Sequence, residues 1–250
     1  MCELLGFTSA HEKGVHEYLK EFYSHGIQHP HGWGLMYEDN GERKVYREAV
    51  CSATSRTISG VITEISPQKN FLAHIRLATV GSIKVENCHP YSQTDNSGRC
   101  WTLIHNGTIY SGRQLMKYLY TQTGDTDSER ISLALLDEIN DRNPETAKQR
   151  FDVVDNFVIS LSKRNKLNLM IYDGELLYIH QNMKDTLYYK AENDSIVFST
   201  KPLDNGNWKP YPMTQLCAFR AGKKVFQGTK HENIFVPTLE YITATDAINI

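Results

Sequence analysis

The chain has 250 residues, 40% of them hydrophobic and 22% charged, with a formal net charge of -2. That length suits one globular domain spanning residues 1–250. The near-neutral balance, with Lys and Arg scattered, excludes a nucleic-acid surface or a basic membrane patch as partner, since both need clustered positive charge.

Residues 2–9 read as a strand beginning at the second residue, an unusual place for a terminus that would otherwise fray. Val15, Tyr18, Leu19, Phe22 and Tyr23 recur at helical spacing and predict a helix. Residues 32–38 and 43–48 read as strands joined through Glu38-Asp-Asn-Gly-Glu42, which has hairpin chemistry. A helix is expected over residues 57–65, ending at Ser66-Pro67. Strands follow at 71–76 and 101–105, then helices at 113–120 and 128–140. After Pro144 and a short helical stretch, residues 155–162, 166–172, 175–181, 187–190, 195–199, 215–220 and 223–227 read as an antiparallel meander. Many short strands with helices in two groups predict an α+β fold, two stacked antiparallel sheets covered by helices on their outer faces.

The N-terminus, Met-Cys-Glu-Leu-Leu-Gly-Phe-Thr-Ser, has no basic n-region and too short an apolar stretch for a signal peptide or a span. Five widely spaced cysteines without a Cys-x-x-Cys argue against a disulfide framework or a thiolate zinc site. A reducing, cytoplasmic location is expected, so the Asn106 and Asn193 sequons carry no weight.

Four places carry chemistry. Cys2 follows Met1, and its small side chain favours methionine removal. That would leave one residue with a thiol nucleophile and an α-amine base of ordinary pKa about 7.7–8.0. Arg76 lies in the apolar run Phe71-Leu-Ala-His-Ile-Arg76 and reads either as half of an internal salt bridge or as a bidentate clamp for a substrate carboxylate. Asn106-Gly107 ends another apolar run; it reads as a hairpin turn or as a two-donor oxyanion hole. In Gly124-Asp-Thr-Asp-Ser-Glu129, Thr126 or Asp127 caps the next helix, or Asp127 accepts from a substrate ammonium.

Together these motifs resemble the glutaminase domain of class II glutamine amidotransferases: Cys2, His74-Ile-Arg-Leu-Ala-Thr79, Cys88-His-Pro90, His105-Asn-Gly107 and Thr126-Asp-Ser-Glu129, in that order. The resemblance covers at least residues 2–140, and Phe198-Ser-Thr-Lys-Pro202 continues it. His29-Pro-His-Gly-Trp-Gly34 looks like stand-alone members, including those that trim γ-glutamyl groups from thiol metabolites, while Leu77 and Val80 depart from the common Arg-Trp-Ala-Thr-His-Gly run.

The resemblance implies a four-layer αββα N-terminal-nucleophile hydrolase fold. It also implies cysteine-dependent hydrolysis of a γ-glutamyl amide through a thioester. Cys2 would be the nucleophile, Asn106 and Gly107 the oxyanion donors, and Arg76 and Asp127 the clamp for the α-carboxylate and α-ammonium. Thr79 and His89 would line the pocket. The rival readings are an ammonia-donating subunit for a separate synthase and a glutamine-binding sensor; family likeness also points to a homodimer. No cofactor or metal is called for. His25, His29 and His31 show no helical His-x-x-x-His pairing with a base, and Gly32-Trp-Gly34 opens no phosphate loop.

Overall fold

Strand β1 (Glu3–Lys13) begins one residue after Cys2 and sends alternate side chains to opposite faces. Leu5 and Phe7 pack with Val15, Leu19 and Phe22, whereas Leu4 packs with Met36, Leu72 and Met170. A strand buried on both faces must lie in an inner layer. The computed structural model of the protein, which describes residues 1–237, has that arrangement.

In chain order, α1 (His16–Ser24), β2 (Trp33–Asp39), β3 (Glu42–Glu48), α2 (Arg56–Glu64) and β4 (Gln68–Ile75) follow β1. The β2–β3 hairpin turns on Asn40 and Gly41, both at positive φ, as its sequence predicts. Then come β5 (Tyr91–Thr94), β6 (Cys100–Thr108), α3 (Asp127–Arg142), α4 (Ala147–Leu161), β7 (Lys166–Tyr172) and β8 (Leu177–His180). The remaining strands are β9 (Tyr188–Ala191), β10 (Ser195–Ser199), β11 (Lys209–Pro210), β12 (Cys217–Arg220) and β13 (Lys223–Gln227).

One sheet has the order β11-β9-β10-β1-β4-β2-β3, the other β13-β12-β8-β7-β6-β5. Every pairing among them is antiparallel. Helices α1 and α2 cover the first sheet through Leu19, Phe22 and Ile58; α3 and α4 cover the second through Ile131, Leu135, Phe151 and Val158. A third apolar layer, with Leu4, Leu72, Ile104, Met170 and Phe198, fills the space between the sheets. This is the expected αββα sandwich.

Three expectations fail locally. Residues 155–162 are the second half of α4, not a strand. A capping box between Thr146 and Gln149 starts that helix, and Phe151, Val154, Val158 and Leu161 bury one helical face despite their β-branched neighbours. Residues 113–120 form a 3₁₀ helix, burying only Leu115 and Tyr118. The meander is interrupted: β9, β10 and β11 leave for the first sheet, because β10 pairs with β1 from Leu5–Ser199 to Ser9–Ser195. Short β5 and β11 were not expected. The single domain expected over 1–250 extends into residues 238–250, which lie outside the described residues.

Candidate active site

Strand alternation collects the site. Cys2 continues the parity of Leu4, and Arg76 that of Leu72 and His74. On the second sheet Asn106 continues the parity of Ile104, and Lys166 that of Met170. All of them therefore face the layer between the sheets, at the end where β1 starts and β4 and β6 finish.

Cys2 is half-buried, and its thiol donates to the Leu77 carbonyl at 3.5 Å. The segment carrying that carbonyl is braced by His31. The His31 N–H donates to the Arg76 carbonyl at 3.1 Å, and its Nδ1 accepts from the Ala78 N–H at 2.9 Å. Burial pushes the Cys2 thiol pKa up, so the thiol keeps its proton at neutral pH unless a base takes it. The residue after it, Glu3, is held from three sides: His25 Nδ1 at 2.7 Å, Lys201 Nζ at 2.6 Å and His29 Nε2 at 3.7 Å. Thr200 completes the brace, its Oγ1 accepting from the Leu4 N–H at 2.9 Å. The three loop histidines thus support the head of β1 and the turn after β4.

Asn106 is 2% exposed, and its Nδ2 is buried without a hydrogen-bond partner among the described residues. Its Oδ1 accepts from Lys166 Nζ at 3.1 Å. Gly107 lies opposite Leu167, whose N–H donates to Asn182 and whose carbonyl accepts from His180. The Leu167 polar groups thus face away from β6, so the Gly107 N–H points away from β7. Strand β5 covers β6 only as far as Leu103, so the sheet offers that N–H no acceptor on its other side. A buried, unpaired amide donor beside an unpaired backbone N–H is the arrangement an oxyanion hole requires. Gly107 also answers to packing: a Cβ there would run into the Lys166 carbonyl and the His105 ring.

Thr126, not Asp127, caps α3, its Oγ1 accepting from the Glu129 N–H at 3.2 Å. The buried Asp127 carboxylate instead accepts from the Ile109 N–H at 2.8 Å, just past the Asn106-Gly107 strand end. His105 donates from Nε2 to the Lys166 carbonyl at 3.3 Å and accepts at Nδ1 from the Ser128 hydroxyl at 2.9 Å. Burial holds its pKa down, as the neutral ring in this pattern requires.

Among the described residues Arg76 forms no salt bridge, and its fork is only partly available for a clamp. The buried guanidinium donates to the carbonyls of Ser82, Val80 and Gly81 at 3.0, 3.0 and 3.2 Å. Five donors are present, so Nε–H and one Nη1–H remain for a ligand. The loop that Arg76 ties down is also fastened to the α3 entry, where Asp125 accepts from the Ser82 N–H at 3.1 Å and from the Asn87 amide. Thr79 is exposed at the bend after β4. The His89 ring is buried, 4.0 Å from His74 and 4.9 Å from Tyr91 between centroids.

Sequence reasoning missed Lys166. It is 0% exposed, and burial drives its pKa down to about 7. The signal was present: a lysine heads the apolar strand Lys-Leu-Asn-Leu-Met-Ile-Tyr172 on the parity of Met170.

The family model for class-II glutamine amidotransferases matches residues 1–191. An uncharacterized protein of Methanocaldococcus jannaschii is 24% identical over 97% of this chain and 76% of its own length. Among solved structures, a Pseudomonas aeruginosa protein superposes with a TM-score of 0.66 at 21% identity, covering 90% of this chain and 100% of that one. The glutamine phosphoribosylpyrophosphate amidotransferase of B. subtilis superposes at 0.69 and 16% identity, covering 93% of this chain and 50% of that enzyme. These two superpositions speak for a shared fold, and the family match covers the whole stretch holding Cys2, Arg76, Asn106, Gly107 and Asp127. The chain belongs to the class-II glutamine amidotransferases.

Proposed function

We propose that the protein, once Met1 is removed, hydrolyses the γ-amide of glutamine or of a γ-glutamyl compound through a γ-glutamyl thioester on Cys2. The observation that carries this reading is the Asn106 Nδ2, buried without a partner at the strand end in the layer that Cys2 faces.

With Met1 in place the Cys2 nitrogen is a peptide amide and holds no basic lone pair. Removal of Met1 frees an α-amine, and burial of this end of the chain favours its neutral form, as it does for the Met1 amine. The amine takes the thiol proton, directly or through a water, as sulfur bonds to the γ-carbon. The carbonyl oxygen becomes an oxyanion and accepts from Asn106 Nδ2 and the Gly107 N–H. Collapse breaks the C–N bond, and the departing ammonia or amine takes the proton from the α-ammonium. Water then adds to the thioester, releasing the γ-carboxylate and restoring the thiol.

Asp127 holds the substrate α-ammonium, and one uncommitted Arg76 N–H donates to the α-carboxylate. Thr79 lies at the rim. That zwitterion clamp selects γ-glutamyl substrates over apolar acyl amides.

The test combines an intact-mass measurement of the N-terminus with release of ammonia, amine and glutamate from glutamine, γ-glutamyl anilide and γ-glutamyl dipeptides. Turnover by the processed protein, abolished by Cys2→Ala, is expected. Turnover by protein that retains Met1 would refute the amine as base. Glutamine binding by processed protein without any turnover would refute hydrolysis and leave a sensor.

A further inference from the structure

Lys166 is the one buried cation of the site that this mechanism does not use. It contributes no apolar surface that a methionine would not, and a fully buried ammonium is costly unless paired. Among the described residues its hydrogen-bond partners are the Asn106 Oδ1 at 3.1 Å and the Met1 thioether sulfur at 2.8 Å, the latter a weak acceptor that leaves with Met1. Among the described residues, the Cys2 thiol is the only charge that raises its pKa against burial. A lysine kept under these conditions costs stability, so its value to the protein lies elsewhere.

The geometry supplies that value. An asparagine amide has two ends of nearly equal shape, and only one of them donates. As an ammonium, the form it takes below its lowered pKa of about 7, Lys166 donates and cannot accept. Set against one end of the Asn106 amide, it forces that end to be oxygen, and the NH₂ end must point the other way. The register makes the contact unavoidable: Thr108 pairs with Lys166 and Asn106 with Asn168, so Asn106 and Lys166 are diagonal neighbours on one face of the sheet.

We propose that Lys166 is a positioning residue that locks the Asn106 amide with Nδ2 aimed into the site, and that its positive charge polarises that amide toward the developing oxyanion. The proposal rests on the thioester reading of the site and adds a residue to it. An amide free to rotate would present Oδ1 to the oxyanion in part of the population, which repels where it should attract. Charge behind the donor strengthens the hydrogen bond most when the oxyanion forms, so the benefit falls on kcat rather than on substrate binding.

The test uses full-length, Met1-processed protein and the isosteric, uncharged Lys166→Met. We expect kcat to fall about 10²-fold, the loss typical of one oxyanion donor. KM should stay within about threefold. The melting temperature should be unchanged or higher, since a buried charge is gone. Asn106→Ala should make the second substitution nearly silent: in that background Lys166→Met should cost less than about threefold more. Full additivity of the two losses, or a kcat for Lys166→Met within about threefold of the unsubstituted protein, overturns the proposal.

A second measurement does not depend on turnover. The Asn106 side-chain NH₂ resonances, assigned by their absence in Asn106→Asp, should shift or broaden in Lys166→Met while distant amides stay in place. Unchanged Asn106 resonances overturn the proposal. A protein that turns over none of the γ-glutamyl substrates, yet shows the expected resonance change, refutes the hydrolase reading and leaves the Lys166–Asn106 lock standing.

Discussion

Lys201 reaches to within 2.6 Å of the carboxylate of Glu3, binding the segment after β10 to the residue that follows Cys2. The ion pair, with His25 on the other carboxylate oxygen, fastens the head of β1 from outside its own sheet pairing.

That cluster predicts a pH-dependent brace. Burial alone would raise the Glu3 pKa, but hydrogen bonds from His25 and Lys201 outweigh it and hold the carboxyl below its usual range. The same contact raises the His25 pKa. The Glu3 contribution is present above its unfolded pKa of about 4.3 and is lost as pH falls through the lower folded value. The His25 contribution is complete below about 6.5 and is lost as pH rises through its raised value. Glu3→Gln should therefore lower the melting temperature most between about pH 5 and 6.5, at a cost of about 1–3 kcal/mol. Thermal melts across pH check this; a deficit that does not vary with pH refutes the His25 part.

Asp127 offers a second prediction. Asp127→Asn keeps an acceptor for the Ile109 N–H but removes the negative charge. A charge-assisted hydrogen bond is worth about 1.5–3 kcal/mol, so KM for glutamine should rise roughly 10- to 150-fold with the fold intact. Steady-state kinetics beside a melt decide it, and an unchanged KM removes Asp127 from the ammonium site.

Gly107→Ala is expected to fail for steric reasons. Its Cβ would press on the Lys166 carbonyl and the His105 ring, both fixed by the β6–β7 pairing. Overpacking of this kind costs about 1–3 kcal/mol, and urea unfolding should show it as a lower midpoint. A midpoint equal to that of the unsubstituted protein would mean that the two strands can separate here.

The acid limb of stability should trace to His180. Its Nδ1–H donates to the Leu167 carbonyl at 2.7 Å and its Nε2 faces His231 Nε2 at 3.1 Å, so the ring must be neutral while His231 donates. Burial, with the His231 charge second, lowers its pKa to about 3. The unfolded chain takes up a proton near pH 6.5 that the folded chain refuses, so stability falls as pH drops below that value. His180→Asn, which keeps a donor for Leu167, should flatten the decline between about pH 6 and 4 in melts.

How much of this was legible in the sequence divides along physical lines. The outer helices and inner strands were readable where burial is one-sided or alternating, as in α1 and β7. Residues 155–162 misled because Val and Ile carry a strand preference that the Thr146–Gln149 cap and the buried face of α4 override. The path of β9 and β10 into the first sheet was not readable, since nothing local distinguishes a strand that pairs with its neighbour from one that pairs with β1. In the site, Cys2, Asn106 and Gly107 stood out because their chemistry has a sequence signature. Arg76 stood out equally, yet much of its fork serves the loop at 80–82, a partner that only coordinates reveal. Lys166 met the same test as Arg76, a cation in an apolar strand, and its link to Asn106 runs through strand register rather than sequence distance.

The chain places its second residue at the mouth of an inner layer, with Leu4 already stitched to Thr200. Whoever prepares this protein inherits the constraint. An affinity tag or fluorescent partner fused ahead of residue 2 would put a peptide bond on the Cys2 nitrogen that the proposed mechanism requires free, and push bulk toward Lys166. Reporter fusions belong at the other end, and a silent preparation from a front-tagged clone would say more about cloning than about chemistry.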